Sequence, residues 1–140
     1  MEYRLTPNTV YACQYHVVFC PKYRRKVLVG DAEARFKELA PIAAADAGAE
    51  ILEMEVMPDH VHLLLEVPPT IAVGKVIKRI KGRTSHDMRE EMPWLRKRIP
   101  TLWTNSYFVS TVGGAPLEVV ERYIENQKTS SRASQKGKMG

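Results

Sequence analysis

A chain of 140 residues, 44% hydrophobic and 26% charged, carries enough apolar material for one compact core and too little length for two ordinary domains. This composition excludes disorder over most of the chain; the lack of a secretory leader pattern and of any bilayer-length apolar stretch predicts a cytoplasmic protein with no membrane contact. The net charge of +5 is clustered, because residues 22–26, residues 75–83 and the segment after Gln127 hold thirteen of the 21 Lys and Arg and no Asp or Glu, a pattern that suits a polyanionic partner and equally suits a set of solvated faces.

The first strand is expected over residues 10–20, where Tyr11, Cys13, Tyr15, Val17 and Phe19 alternate onto one face and mark a central strand. Pro21 ends it, and the basic run Lys22, Tyr23, Arg24, Arg25 and Lys26 follows as a loop at the edge of a sheet. Cys13 and Cys20 stand an odd number of residues apart in that strand and face opposite ways, so neither a disulfide nor a zinc site is expected. A helix is predicted from Asp31, as N-cap, through Phe36, Leu39, Ile42 and Ala43 to a stop at Gly48, with Pro41 placed to kink it.

Residues 50–57 and 60–67 read as two strands joined by Pro58-Asp59, which is a hairpin. Thr70 is expected to cap a second helix. There Val73, Val76, Ile77 and Ile80 form the apolar stripe and Lys75, Lys78, Arg79, Lys81 and Arg83 fall largely outside it. The stretch around Pro93 and Pro100 has no clear pattern. Residues 103–112 supply a further strand, broken by Gly113-Gly114, and a last helix runs from Pro116 through Tyr123 and Ile124 to Gln127. Residues 1–128 therefore read as a single domain and residues 129–140 as a basic, disordered tail. The order of elements predicts an α+β fold: a ferredoxin-like (RRM-like) antiparallel sheet with helices on one face, plus a C-terminal helix.

Two local patterns point to chemistry. His60 and His62 are alternate residues of one strand, so both imidazoles project from one face while Val61, Leu63 and Leu65 fill the other. Taken alone, an H-x-H pair reads more readily as two polar residues on an exposed sheet face than as a metal site. Tyr123 and Gln127 are four residues apart on the last helix and so share a face. An amide oxygen is an acceptable ligand for Mg²⁺, and Mn²⁺ also tolerates imidazole, although such a helix commonly packs its Tyr inward and leaves its Gln at the surface. His16 and His86 have no visible partner and read as structural or surface residues.

The segments Val56-Met57-Pro58-Asp59-His60-Val61-His62-Leu63-Leu64, Trp103 through Gly113 and Tyr123-Ile124-Glu125-Asn126-Gln127, together with Lys22-Tyr23-Arg24 and Lys81 through Ser85, resemble the signatures of the IS200/IS605 family transposases, single-tyrosine enzymes of the HUH class. The resemblance spans nearly the whole chain, and the basic tail is its one departure. It implies a prokaryotic DNA transposase that cleaves and rejoins single-stranded DNA at hairpin-bearing element ends, with Tyr123 as nucleophile and a 5′-phosphotyrosine intermediate. It further implies Mg²⁺ (or Mn²⁺) held by His60, His62 and Gln127, and a homodimer in which the tyrosine helix acts in trans.

A phenol with a reference pKa of about 10 is a weak nucleophile at neutral pH, so assistance by a metal ion at the phosphate would be needed. Lys22, Tyr23, Arg24, Arg25, Lys78, Arg79, Lys81 and Arg83 are the candidate DNA-binding residues, the cations for phosphates and Tyr23 for stacking on a base. A non-catalytic binding module using sheet aromatics and basic loops, and a host-adopted relative of the transposases, are the competing readings.

Overall fold

The computed structural model describes residues 3–6, 9–112 and 121–127. A short hairpin, β1 (Arg4–Thr6) with β2 (Thr9–Tyr11), forms a separate two-stranded sheet. The main sheet has four antiparallel strands, β3 (Gln14–Phe19), β4 (Glu50–Met57), β5 (His60–Glu66) and β6 (Phe108–Thr111), in the spatial order β4-β5-β3-β6. Helix α1 (Asp31–Asp46) connects β3 to β4, and α2 (Val73–Glu91) with the short α3 (Pro93–Arg98) connects β5 to β6. Residues 121–127 form a last helical segment, α4. The βαββαβ order with its two crossing connections is the ferredoxin-like arrangement expected from the sequence.

The pleat sorts the side chains. Val17 and Phe19 of β3 and Val61, Leu63 and Leu65 of β5 join Phe36, Leu39, Ala40 and Ala43 of α1 and Val76, Ile77, Ile80 and Met88 of α2 in one buried cluster. Three rings lock its centre, with Phe19 and Trp103 at 4.7 Å and 85°, and Phe36 and Trp103 at 5.5 Å and 71°. The buried Trp103 indole N–H donates to Thr84 Oγ1 at 3.0 Å, and that hydroxyl donates to Ile80 O at 2.7 Å, so no polar group of the set is left unsatisfied. Phe36→Ala is expected to destabilise the fold by about 3–5 kcal/mol, read from the urea unfolding midpoint, because a fully buried ring leaves a cavity that two neighbouring rings cannot fill.

Several sequence expectations need correction. The strand expected over residues 10–20 is two strands, since Cys13 turns its N–H to Glu66 Oε2 at 2.8 Å and its carbonyl to Val67 N at 3.0 Å and leaves the ladder. The premise about the cysteines therefore falls, but both thiols are free. The loop after Pro21 leaves the end of an interior strand, not a sheet edge. Gly30, at φ +56°, and not Asp31, precedes α1, and the helix continues through Pro41. Ala72, and not Thr70, precedes α2, after a turn in which Ile71 N donates to Pro68 O.

The strand expected over residues 103–112 shrinks to β6 with an isolated bridge between Trp103 and Pro21, because Lys81 gathers the carbonyls of Thr104 and Ser106 out of any ladder. The stretch without a clear pattern contains α3, opened by Pro93 at its first turn. The breaks at Gly113 and Gly114, the start of the last helix and the tail lie outside the described residues. Among the described residues no helix is long and apolar enough to cross a membrane.

Candidate active site

The face of the sheet turned away from α1 and α2 carries the candidate chemistry. Val18 of β3 pairs in register with His62 of β5 on one side and Phe108 of β6 on the other. Cross-strand partners project from the same face, so His62, Val18 and Phe108 form one row spanning roughly 10 Å at ~4.8 Å per strand. The ring of Tyr123 lies 5.5 Å from Phe108, which seats α4 on the same sheet face as the two histidines. Val18 and Cys20 are fully buried although they lie outside the main core cluster.

At the β4–β5 turn, Asp59 Oδ1 lies 2.9 Å from His60 Nδ1, and Asp59 Oδ2 accepts from Arg24 Nε at 2.9 Å. Burial works to raise the Asp59 pKa, but the His60 hydrogen bond and the Arg24 charge outweigh it and hold the carboxyl below its ordinary value. An ionised carboxylate can only accept, so His60 Nδ1 donates to Asp59, and Nε2 is the ring nitrogen turned away from it. His62 is held below its ordinary pKa by burial first and by neighbouring His16 second. Its Nε2 is 3.2 Å from His16 Nδ1, with the rings stacked at 5.3 Å. His16 and His86 had no partner visible in the sequence, and the structure gives each one: His62 for the part-buried His16 and Asp87, at 3.0 Å, for the exposed His86.

On α4, Gln127 is 7% exposed and its Oε1 accepts from Ser106 Oγ at 2.9 Å. The same Ser106 Oγ is 3.4 Å from the Tyr123 hydroxyl. A serine has one proton to give; donated to Gln127, it leaves Ser106 as the acceptor for the Tyr123 O–H. Burial pushes the Tyr123 phenol up to about 12, so the group is a protonated phenol at neutral pH. Lys81 Nζ supports this serine from beneath, donating to Ser106 O at 3.1 Å and Thr104 O at 2.7 Å, and burial lowers its pKa to about 8.

Among the described residues no three His, Cys, Asp or Glu side chains gather as a metal site. The donor set to be tested is therefore two imidazoles and one amide oxygen. It fits a divalent cation of the Mg²⁺ or Mn²⁺ kind. His60 has its Nδ1 on a carboxylate, the arrangement usual for ligating histidines, and the Gln127 carbonyl keeps a second lone pair; His62 is biased towards neutrality, but its Nε2 faces His16 Nδ1 at 3.2 Å and would have to leave that contact to bind a cation.

Residues 9–127 match the family model described as "Transposase IS200 like". The chain belongs to the IS200-like transposase family. It is 39% identical to the ISDra2 transposase TnpA of Deinococcus radiodurans over 129 residues, 91% of this chain and 92% of that one. It is 33% identical to the transposase for insertion sequence element IS200 of Salmonella typhimurium over 122 residues, 86% of this chain and 80% of that one. A crystal structure of a Deinococcus radiodurans R1 chain described as a candidate transposase superimposes with TM-score 0.78 at 33% identity, covering 89% of this chain and 97% of the other. A REP-associated tyrosine transposase bound to a REP hairpin shares the fold alone, with TM-score 0.53 at 14% identity, covering 96% of this chain and 74% of the other.

In this IS200-like transposase the candidate DNA-binding residues separate into two groups. Tyr23, Arg25, Lys78 and Arg79 are exposed and Lys22 is half-buried. Lys75, Lys78 and Lys81 line a cleft of about 670 Å³ with Asn105 and Tyr107, between α2 and residues 101–107. Arg24 and Lys81 instead turn their donors inward, and Arg83 is engaged with Asp46 at 2.9 Å and Asp87 at 3.1 Å. Sequence reasoning missed Asp59 and Ser106 as site residues although both lie inside the quoted motifs. It had no signal for His16, whose contact depends on strand register.

Proposed function

We propose that this transposase cleaves and rejoins single-stranded DNA, with Tyr123 as the nucleophile and His60, His62 and Gln127 as ligands for Mg²⁺ or Mn²⁺. The observation that carries the reading is the shared sheet face, with the Tyr123–Ser106–Gln127 group seated beside the row that contains His62.

The Tyr123 oxygen attacks a backbone phosphorus, the P–O3′ bond breaks, and the leaving 3′ oxygen takes up the proton that the phenol gives up. The product is a 5′-phosphotyrosine and a free 3′-OH. Attack by the 3′-OH of another strand reverses the step and releases the phenol, so the phosphodiester bond energy is retained and no nucleotide cofactor is needed. A divalent cation bound by the three ligands would neutralise charge developing on the phosphate. Of this chain's own groups, Asp59 orients His60, and Ser106 positions both the phenol and the Gln127 amide.

The substrate we propose is a single strand bearing a hairpin at each element end, and the hairpin-bound tyrosine transposase of the same fold is a precedent for it. Lys22, Arg25, Lys78 and Arg79 would hold phosphates and Tyr23 would stack on an unpaired base, with Arg83 at the margin. Replacing Lys78 and Arg79 together by Ala is expected to flatten the dependence of log affinity on log salt by about 1.4, at ~0.7 per phosphate contact on a single strand, measured by fluorescence anisotropy.

The test of the whole reading is incubation with hairpin-bearing single strands labelled at either end, in Mg²⁺ or EDTA. A denaturation-resistant adduct that needs Mg²⁺ and carries only the 3′ label supports it. Adduct carrying the 5′ label would reverse the polarity, and binding that ignores EDTA and never becomes covalent would make the protein a binding module.

A further inference from the structure

We propose that Arg24 is a positioning residue that ties the helix bearing Tyr123 to the strand bearing His60, so that a single guanidinium sets the placement of both. Its Nε donates to Asp59 Oδ2 at 2.9 Å, and the other oxygen of that carboxylate is 2.9 Å from His60 Nδ1. Its NH1 donates to the carbonyl of Ile124 at 3.2 Å, the residue after Tyr123, and lies 3.8 Å from Glu125 Oε2. The Arg24 and Asp59 side chains are 13% and 15% exposed, so the contact to Asp59 is shielded from water, whereas Glu125 is 74% exposed and contributes little.

The backbone is arranged for this purpose. Tyr23 and Arg24 stand at φ +59° and +52°, two consecutive non-glycine residues in the left-handed region. Strained conformations of this kind persist where the surroundings over-determine them. Here the surroundings are the bonds from Arg24 N to Pro21 O at 2.7 Å and from Lys22 N to Leu102 O at 2.9 Å. Glycine would relieve the strain but would lose the guanidinium. The strained turn leaves Tyr23 41% exposed while the Arg24 side chain points inward.

The requirement is for arginine in particular. The planar fork presents separate donors to a carboxylate on one edge and a helix carbonyl on the other, whereas a lysine ammonium is a single point that cannot serve both. Loss of Arg24 would leave α4 held only through Ser106 and Phe108 and would leave Asp59 without its anchor beneath His60, loosening both at the same time. The coupling is independent of the chemistry; only its consequence for cleavage rests on the proposed roles of Tyr123 and His60.

The experiment is hydrogen exchange by mass spectrometry on the full chain, with the Mn²⁺ dissociation constant measured by calorimetry on the same samples. Arg24→Gln is expected to accelerate exchange in peptides covering residues 121–127 by about ten-fold or more, to leave β3 and β5 protected, and to weaken Mn²⁺ binding by about ten-fold, the usual size of losing an outer partner of a ligating histidine. Lys22→Gln, which removes a neighbouring charge, should do neither. A merely structural role would not move the Mn²⁺ constant while the sheet stays protected.

Unchanged exchange at residues 121–127 in a folded Arg24→Gln protein overturns the proposal. Should that variant fail to fold, Arg24→Lys, which keeps the charge against Asp59 but not the reach to Ile124, is read in the same way. A parent protein that binds no Mn²⁺ sinks the metal reading and leaves the exchange comparison to decide on the tie.

Discussion

Tyr123→Phe is expected to abolish the covalent protein–DNA adduct while leaving hairpin affinity within about two-fold of the parent, because it deletes only the attacking oxygen. The ring stays against Phe108, and Ser106 keeps its bond to Gln127, so the seat of α4 should be preserved. Denaturing gel electrophoresis of labelled strands reads the adduct, and anisotropy reads the affinity. Adduct formation that survives the Tyr123→Phe substitution would move the nucleophile elsewhere. The buried phenol also predicts how the activity depends on its surroundings. With its pKa pushed up to about 12, unassisted ionisation at pH 7 would leave only about one phenolate in 10⁵, so chemistry has to couple deprotonation to attack.

His60→Ala is expected to weaken Mn²⁺ binding by more than the roughly 10–100-fold typical of losing an outer-shell partner, and to suppress adduct formation to the level seen in EDTA. The variant should fold, because His60 lies at the start of β5 and contributes nothing to the main apolar cluster. Calorimetry with Mn²⁺ reads the first effect without reference to turnover. Unaltered Mn²⁺ affinity would remove His60 from the ligand set.

The same variant resolves which subunit completes the site. In the structure, α4 rests on Arg24, Ser106 and Phe108 of its own chain. If a dimer instead exchanges its tyrosine helices, mixing inactive His60→Ala with inactive Tyr123→Phe restores cleavage, since one composite site then has both an intact histidine pair and an intact tyrosine. Sites built within one chain stay inactive in the mixture.

The shared faces of the histidine pair and of the tyrosine–glutamine pair were legible in the sequence because each depends on a local period, while the chemical roles of the four residues came from the family resemblance. Alternate strand residues share a face, and helix residues four apart share a face, whatever the rest of the chain does. The order of elements was legible for a similar reason. The buried stripes of β3, β5 and α2 are periodic enough to declare their core sides, and Pro58-Asp59 leaves the flanking strands little choice but a hairpin.

Errors fell where local pattern and long-range bonding compete. Residues 10–20 alternate as one strand, yet Cys13 finds the acceptor for its N–H 53 residues away in the Glu66 carboxylate and the donor for its carbonyl in the adjoining Val67, and the strand divides. Residues 103–107 have the composition of a strand, yet their carbonyls are gathered by the ammonium of Lys81. In both places a side chain or carbonyl distant in sequence outcompetes the ladder.

By itself, then, the sequence determined the apolar periodicities, the α+β order and the two pairs of chemical groups, all of which follow from the geometry of a strand or a helix taken singly. Only the tertiary structure decided which groups surround them: His16 against His62 through strand register, Ser106 between Tyr123 and Gln127, and Arg24 turned inward to Asp59 and Ile124. The reason is physical. A contact such as Arg24 to Ile124 joins residues 100 positions apart, and its existence depends on how the sheet, the turn at Pro21 and the last helix pack together, which no local period encodes.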